Sequence, residues 1–331
     1  MSSTPAAKSD DDLYREGSQY RIWSFSQSEL EEVRRSVNRI ASEHLAHEHQ
    51  MARSAERGGE EEGVKIEYLT EGEEYEMLLH YCVKVQDAAA VYKLPSHIKA
   101  TAIQYLKRFY LKYSLMEFHP RNIMYTCLFL ATKSENHFIS IDNFVQPLQR
   151  VSKQSIIDLE FIVAQTLSFT LLVHHAFNPI HGYFLDLQSV FADRMDEIRS
   201  AHDRARRYAN DSLFSDAAFL FTPPQIALAA LMMANEGLMD AYMDVKFGQN
   251  AVLLRQLKTT TERIKSYIVE GGKPKIGSER ALALERKLYV CRNPEKARKR
   301  FGNGSSSESL NDSAEPAAKR VKIEQEDTVM T

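Results

Sequence analysis

The sequence predicts an all-α protein in which one helical module is used twice, and three observations predict it. Apolar residues recur three and four positions apart through most of the 331 residues, and no alternating run is long enough to make a sheet. Helix starts are spelled out as Ser/Thr-x-x-Glu/Gln boxes at Ser26–Glu29, Thr70–Glu73 and Thr222–Gln225, where side chains satisfy backbone N–H groups left over in the first turn. Finally, two apolar stretches can be laid on one another from their prolines. With Pro120 on Pro223, Ile123 falls on Ile226, Cys127 on Ala230, Leu128 on Leu231 and Ala131 on Ala234, as expected of an internal repeat.

Taken in order, residues 1–19 are small, polar and acidic and are expected to be disordered. YRIWSFS, with the single Trp23, leads to a helix starting at Ser26 whose apolar face is Leu30, Val33, Val37 and Ile40; MARSAERGGEEEG (51–63) reads as a loop. The first module begins at Thr70. Tyr75, Leu78, Leu79, Cys82, Val85 and Ala89 trace one helical face up to Leu94-Pro95, and a second helix at about 96–112 turns Ala102, Tyr105, Leu106 and Phe109 inward. A third, 120–133, is apolar all round (IMYTCLFLA), so other helices must enclose it. Ser140 and Ser152 suit the caps of helices at about 141–149 and 153–168. In the second module, helices are expected at about 179–191, 194–214, 223–234, 239–247 and 250–269, the third again apolar all round. SERALALERKLYVC (278–291) is one more amphipathic helix, with Leu284, Leu288 and Cys291 on its apolar face. The charged, low-complexity remainder is expected to be disordered.

The composition narrows the function. With 44% apolar residues the chain can bury a core, and a formal charge of −3 argues against a surface built for nucleic acid. Cys82, Cys127 and Cys291 lie far apart with no C-x-x-C pair, which fits a reducing compartment and neither zinc ribbon nor disulfide framework. His44, His47 and His49 lack an acidic or thiol partner at ligand spacing, so no metal is expected. No apolar run approaches the roughly 20 residues of a membrane span. Phosphate-binding glycine loops, zinc-protease, hydrolase and kinase motifs are all missing, so no catalytic residues and no cofactor are expected. Lys107, Arg108 and Lys112 read as a small solvated basic face, and His174-His175 as a polar element between the modules.

In the tail, PAAKRVKIE (316–324) resembles a monopartite nuclear localisation signal, with Lys319, Arg320 and Lys322 as the basic side chains an importin groove would read. Ser305 and Ser309 each have an acid three residues on, a pattern that invites an acidophilic kinase. At Lys133, where the apolar third helix ends, a cation can simply favour the negative end of the helix dipole, worth ~0.3–1 kcal/mol. Glu160, inside IIDLEFIVAQTL, needs a partner, because burying a lone carboxylate costs several kcal/mol.

Several stretches resemble the cyclin family: YRIWSFS, KRFYLKYSLMEFHPRNIMYTCLFLATK (107–133), LEFIVAQTLSFTLLVH (159–174) and LFTPPQIALAAL (220–231), in order from about residue 20 to 293. The resemblance is greatest to the branch that serves the CDK-activating kinase and TFIIH. It implies an N-terminal helix and linker (20–69), two five-helix cyclin-box repeats (70–172 and 173–272), a C-terminal helix (273–293) and a basic and acidic tail (294–331). It also implies a non-enzymatic nuclear subunit that binds and allosterically activates a cyclin-dependent kinase, with Lys133 and Glu160 facing that kinase. A RING-finger assembly subunit and the TFIIH core are the further partners implied, with no direct nucleic acid and no membrane. Two departures stand out: Ser134-Glu135-Asn136 supplies one acid where the family usually has two, and VKVQD (83–87) replaces the substrate-docking patch of cell-cycle cyclins. A TFIIB-like cyclin-fold factor would bring a zinc ribbon and basic repeats, which this sequence lacks. A passive helical scaffold is the other alternative.

Overall fold

The computed structural model describes residues 14–55, 66–148, 151–273 and 275–293. Of the ends expected to be disordered, residues 1–13 and 294–331 lie outside them, with Ser305, Ser309 and the Lys319, Arg320, Lys322 cluster, as does most of the 51–63 stretch; the expectation fails for residues 14–19, which are largely helical and held by the buried Gln19, hydrogen-bonded to His174. Among the described residues there is no strand. The helices are α1 (Ser18–Trp23), α2 (Gln27–Ala55), α3 (Glu71–Val91), α4 (Ser96–Phe109), α5 (Pro120–Ser134), α6 (Ile141–Val145) and α7 (Lys153–Thr166), then α8 (Phe177–Val190), α9 (Met195–Ser212), α10 (Ala217–Leu220), α11 (Pro223–Ala234), α12 (Glu236–Phe247), α13 (Ala251–Gly272) and α14 (Ser278–Arg292). The caps read from the sequence are in place. At Ser26 and Thr70 the backbone N–H donates to the glutamate three residues on, while that residue's own N–H donates to the hydroxyl. Gln225 accepts the Thr222 N–H at 3.0 Å, and Ser140 and Ser152 cap α6 and α7.

The chain divides into two compact units, each drawn from separated stretches of sequence. The first, with α5 at its centre, comprises the described residues of 32–93, 105–169 and 275–293. In α5 ten of fifteen residues are buried, Ile123, Cys127, Leu128 and Ala131 completely, and α3 and α7 pack against it. Helix α14 lies on α3 with Ala281, Leu284, Leu288 and Cys291 turned inward. Helix α2 joins through Asn38, whose amide donates to the Leu69 carbonyl at 2.8 Å, and through Arg34, whose guanidinium lies 4.4 Å from the centre of the Tyr75 ring.

The second unit comprises residues 14–31, 94–104 and 170–273, with α11 at its centre. Nine of the twelve residues of α11 are buried, and α8, α9, α12 and α13 surround it. One glycine is required here: a Cβ on Gly271 would stand 2.0 Å from the Asp211 carbonyl oxygen, so α13 approaches the end of α9 backbone to backbone. The N-terminal arm belongs to this unit. Gln19 pairs with His174 in both directions, donating to its carbonyl at 3.1 Å and accepting its N–H at 2.6 Å. The Trp23 indole donates to Thr170 at 2.9 Å, and the Phe25 N–H to Phe219.

Three further expectations are corrected. The stretch from Met51 begins as helix, since α2 continues to Ala55. On α2 the buried residues are Leu30, Ala41 and Leu45, while Ile40 is exposed, because three full turns from Leu30 arrive at Ala41. Lys107 and Arg108 do not form a solvated face. Every residue from Ala100 to Leu111 is buried, so α4 beyond its first turn has no side left for water, and only Lys112 of the three bases is exposed.

Trp23 is 1% exposed and its N–H is satisfied, so Trp23→Ala is expected to lower stability by about 3–5 kcal/mol. A urea titration measures it, and a midpoint within error of the parent would show that the arm is peripheral.

Candidate functional site

Both ends of α5 are built by sequence features. At its start Pro120 occupies the first turn, where a missing N–H costs nothing, and the His119 ring accepts the Arg121 N–H through Nδ1 at 3.2 Å. His119 is therefore held as the tautomer whose Nε2 carries the proton. At the other end Asn136 has a φ of 57°, and the His137 N–H turns back to the Thr132 carbonyl at 2.8 Å. Asparagine tolerates this left-handed position better than most side chains.

Lys133 lies in the last turn of α5 and Glu160 projects from α7 beside the buried Leu159. The two side chains form a direct ion pair, with 36% and 24% of their side-chain surface still exposed. Burial lowers the lysine pKa. The helix that carries Glu160 also presents apolar side chains to solvent. Ile157 and Phe161, one turn apart on α7, are 41% and 65% exposed, and Phe169 is 60% exposed with its ring edge toward Phe161 at 6.1 Å. Ser168 and Phe169 both take left-handed backbone angles (54° and 55°), an uncommon conformation for a bulky residue, which turns the Phe169 ring back toward α7. Phe138, just past the end of α5, is 76% exposed. The sequence singled out both charged residues, through the family resemblance, and missed these aromatics. A phenylalanine at helical spacing reads as core, and only the position of neighbouring helices reveals that Phe161 faces out.

The N-terminal end of α5 is tied to α14. Glu285 accepts from the Tyr81 hydroxyl at 2.5 Å, and its other oxygen lies 3.4 Å from His119 Nε2. Burial alone would raise this carboxyl, but the hydrogen bonds of His119 and Tyr81, with the charge of Lys84, outweigh it and hold the pKa at about 2. Lys287 reaches Glu73 at 2.8 Å and Glu67 at 3.2 Å.

The other residues singled out have structural places. His49 lies 3.1 Å from the Tyr68 hydroxyl, and among the described residues no cluster of histidine, cysteine or acids is arranged to hold a metal. His175 Nε2 lies 2.7 Å from the Thr101 hydroxyl, a polar contact within the α11 unit, and the three cysteines are buried free thiols. No helix among the described residues is long and apolar enough to cross a membrane.

Two buried central helices, α5 packed by α3 and α7 and α11 by α8, α9, α12 and α13, define the two-domain cyclin fold, and comparison with known proteins agrees. The profile of the cyclin N-terminal domain matches residues 53–172, and that of the cyclin C-terminal domain matches residues 175–269. Cyclin mcs2 of Schizosaccharomyces pombe is 31% identical over 290 residues, 86% of each chain. Cyclin-H of Xenopus laevis is 30% identical over 240 residues, 67% of this chain and 72% of that protein. Cyclin CCL1 of Saccharomyces cerevisiae is 39% identical over 245 residues, 72% of this chain; the match spans 62% of that relative's length. The chain belongs to the cyclin family. Among solved structures it is similar to a chain of the CAK complex of Chaetomium thermophilum bound to ATP-gamma-S, with a TM-score of 0.77 and 27% identity over 92% of this chain and 99% of that one. It is also similar to a chain of the yeast TFIIK (Kin28/Ccl1/Tfb3) complex, with a TM-score of 0.62 and 34% identity over 77% of this chain and all of that one.

Glu285 has a pH signature. Because its folded pKa is depressed to about 2, it stabilises the fold above the ordinary glutamate range near ~4 and loses that contribution as the pH falls toward about 2, in all on the order of 2–3 kcal/mol. Glu285→Gln should be less stable at neutral pH and show a flatter loss of stability below about pH 4. Parallel acid-unfolding curves for parent and variant would refute the assignment.

Proposed function

We propose that this chain is the regulatory subunit of a cyclin-dependent kinase of the CDK-activating type, of the cyclin-H kind, and that it works within the kinase module of TFIIH. The similarity to a chain of the CAK complex over 92% of its length supports this most directly. The repeats are taken as 70–172 and 173–272, with α2 and α14 as flanking helices. The chain does no chemistry in this reading. Its role is allosteric: it packs against the kinase and holds the kinase αC helix where the αC glutamate pairs with the strand-β3 lysine that orients the ATP phosphates. Cyclin-dependent kinases and the C-terminal repeats of RNA polymerase II are the substrates of the complex. A RING-finger assembly subunit and the TFIIH core complete the partners.

The kinase-facing surface is the one around Lys133 and Glu160. The part-buried ion pair and the exposed side chains of Ile157 and Phe161 on α7, with Phe169 just past its end, combine apolar area with a charge that burial makes more effective. Such a surface suits an obligate-type interface on the order of 2,000 Å² or more. Each charged side chain already has a partner in the free chain, so neither is stranded before the kinase arrives.

The test is a comparison of kinase affinity and thermal melting for Lys133→Ala, Glu160→Ala and the double variant. Loss of roughly 2–5 kcal/mol in binding, with at most ~1 kcal/mol lost in stability because the pair is part-exposed, is the expected result. The double variant should lose less than the sum of the two, since the groups share one network. Unchanged affinity, or affinity lost only in step with folding, would make the pair structural. Copurification of a kinase with a RING-finger subunit checks the wider reading; a shifted promoter DNA fragment without a kinase would favour a TFIIB-like factor.

For localisation, Lys319, Arg320 and Lys322 form a nuclear import signal read by importin, and Ser305 and Ser309 are phosphorylated by an acidophilic kinase, as phosphopeptide mapping would detect. Neutralising the three bases is expected to reduce nuclear accumulation of a tail fusion. Undiminished import would reject the signal.

A further inference from the structure

Lys133 has a second neighbour. Its ammonium lies 4.7 Å from the centre of the Phe129 ring, one turn earlier on α5. That ring is 6% exposed and is itself held. Phe144 of α6, fully buried, packs on it with centroids 5.1 Å apart and planes at 52°. Tyr92, the residue that ends α3, stacks on Phe144 at 4.9 Å with planes only 6° apart, and its hydroxyl donates to the Phe144 carbonyl. Three elements therefore supply a short aromatic stack whose last ring lies beside the charged end of Lys133.

We infer that Phe129 is a positioning residue for the kinase contact: its ring, fixed by Phe144 and Tyr92, holds the Lys133 ammonium beside Glu160 in the geometry in which a kinase meets it. The inference rests on the reading of Lys133 as the kinase anchor. A lysine side chain has four rotatable bonds and gives up that freedom on docking. An ammonium placed against a ring face is attracted by the ring quadrupole, and more strongly when it is partly removed from water. Glu160 fixes Lys133 through charge and Phe129 fixes it through its π face. An ammonium has three N–H donors; with one on Glu160, donors remain for backbone carbonyls of a partner. An aliphatic residue at position 129 would fill the same space and leave the ammonium tethered on the Glu160 side only.

The test separates positioning from packing with the full chain and its kinase. Phe129→Leu is measured alone and in a Lys133→Ala background, together with site-specific replacement of Phe129 by difluoro- and pentafluorophenylalanine, which keep the ring's shape and weaken its quadrupole. Kinase affinity should fall roughly three- to tenfold for Phe129→Leu, and stepwise with fluorination, when Lys133 is present. In the Lys133→Ala background neither change should matter. An equal loss in both backgrounds would overturn the inference and leave Phe129 as core packing. A second readout needs no kinase: in the free chain the Lys133 ε-methylene protons should be shifted upfield by the ring current, and Phe129→Leu should return them. Unshifted protons in the parent would overturn the inference as well. If Lys133→Ala leaves affinity unchanged while the upfield shift is present, the kinase-anchor reading fails and Phe129 still orients Lys133 in the free chain.

Discussion

A helix with no polar face can exist in water only if other elements enclose it, and α5 and α11 impose that requirement on the chain. Their neighbours are amphipathic because they are the enclosure: α3 and α7 turn apolar stripes toward α5, and α8, α9, α12 and α13 do so toward α11. The demand is strict because interiors pack at near-crystalline density, and the small side chains at Cys127, Ala131, Ala229 and Ala230 allow the close approach. Surrounding an element on all sides also makes its two ends the places where backbone groups must find partners. Polar chemistry is concentrated there.

That concentration connects structure to function in the α5 unit. One end of α5 is closed by the ring of His119, oriented in turn by Glu285 from α14, and the other runs out at Lys133 and the left-handed Asn136. The enclosed helix is rigid by necessity, so a charge at its tip has a defined position. The same is true of Glu160, carried beside buried Leu159 on the helix packed against α5. A regulatory subunit that acts by holding its partner in one geometry needs this kind of fixed charge.

The fold was largely legible because its signals are local. Capping boxes at Ser26 and Thr70, prolines at 120 and 223 and the helical spacing of apolar residues each depend on a few neighbouring positions, and the structure bears them out. What escaped notice depends on residues distant in sequence. Lys107 and Arg108 look like a solvated face until α4 beyond its first turn is found to be buried all round, and Ile40 looks like core until α2 is laid against Leu69 and Tyr75. Phe161 and Phe169 carry no mark of exposure in their spacing. A carboxylate in an apolar run asks for a partner, but it was the resemblance to cyclins that set Lys133 beside Glu160.

The α5 unit is not continuous in the chain. Tyr81 meets Glu285 across 204 residues and Glu73 meets Lys287 across 214. A ribosome releases the chain from its N-terminus, at about 5–20 residues per second, so α3 emerges long before the helix that covers it. Until α14 is clear of the exit tunnel, the face of α3 carrying Glu73 and Tyr81 waits without its partner, while α8 to α13, contiguous in sequence, are already free to assemble. The α5 unit, most of which is made before residue 170, is thus the one completed last.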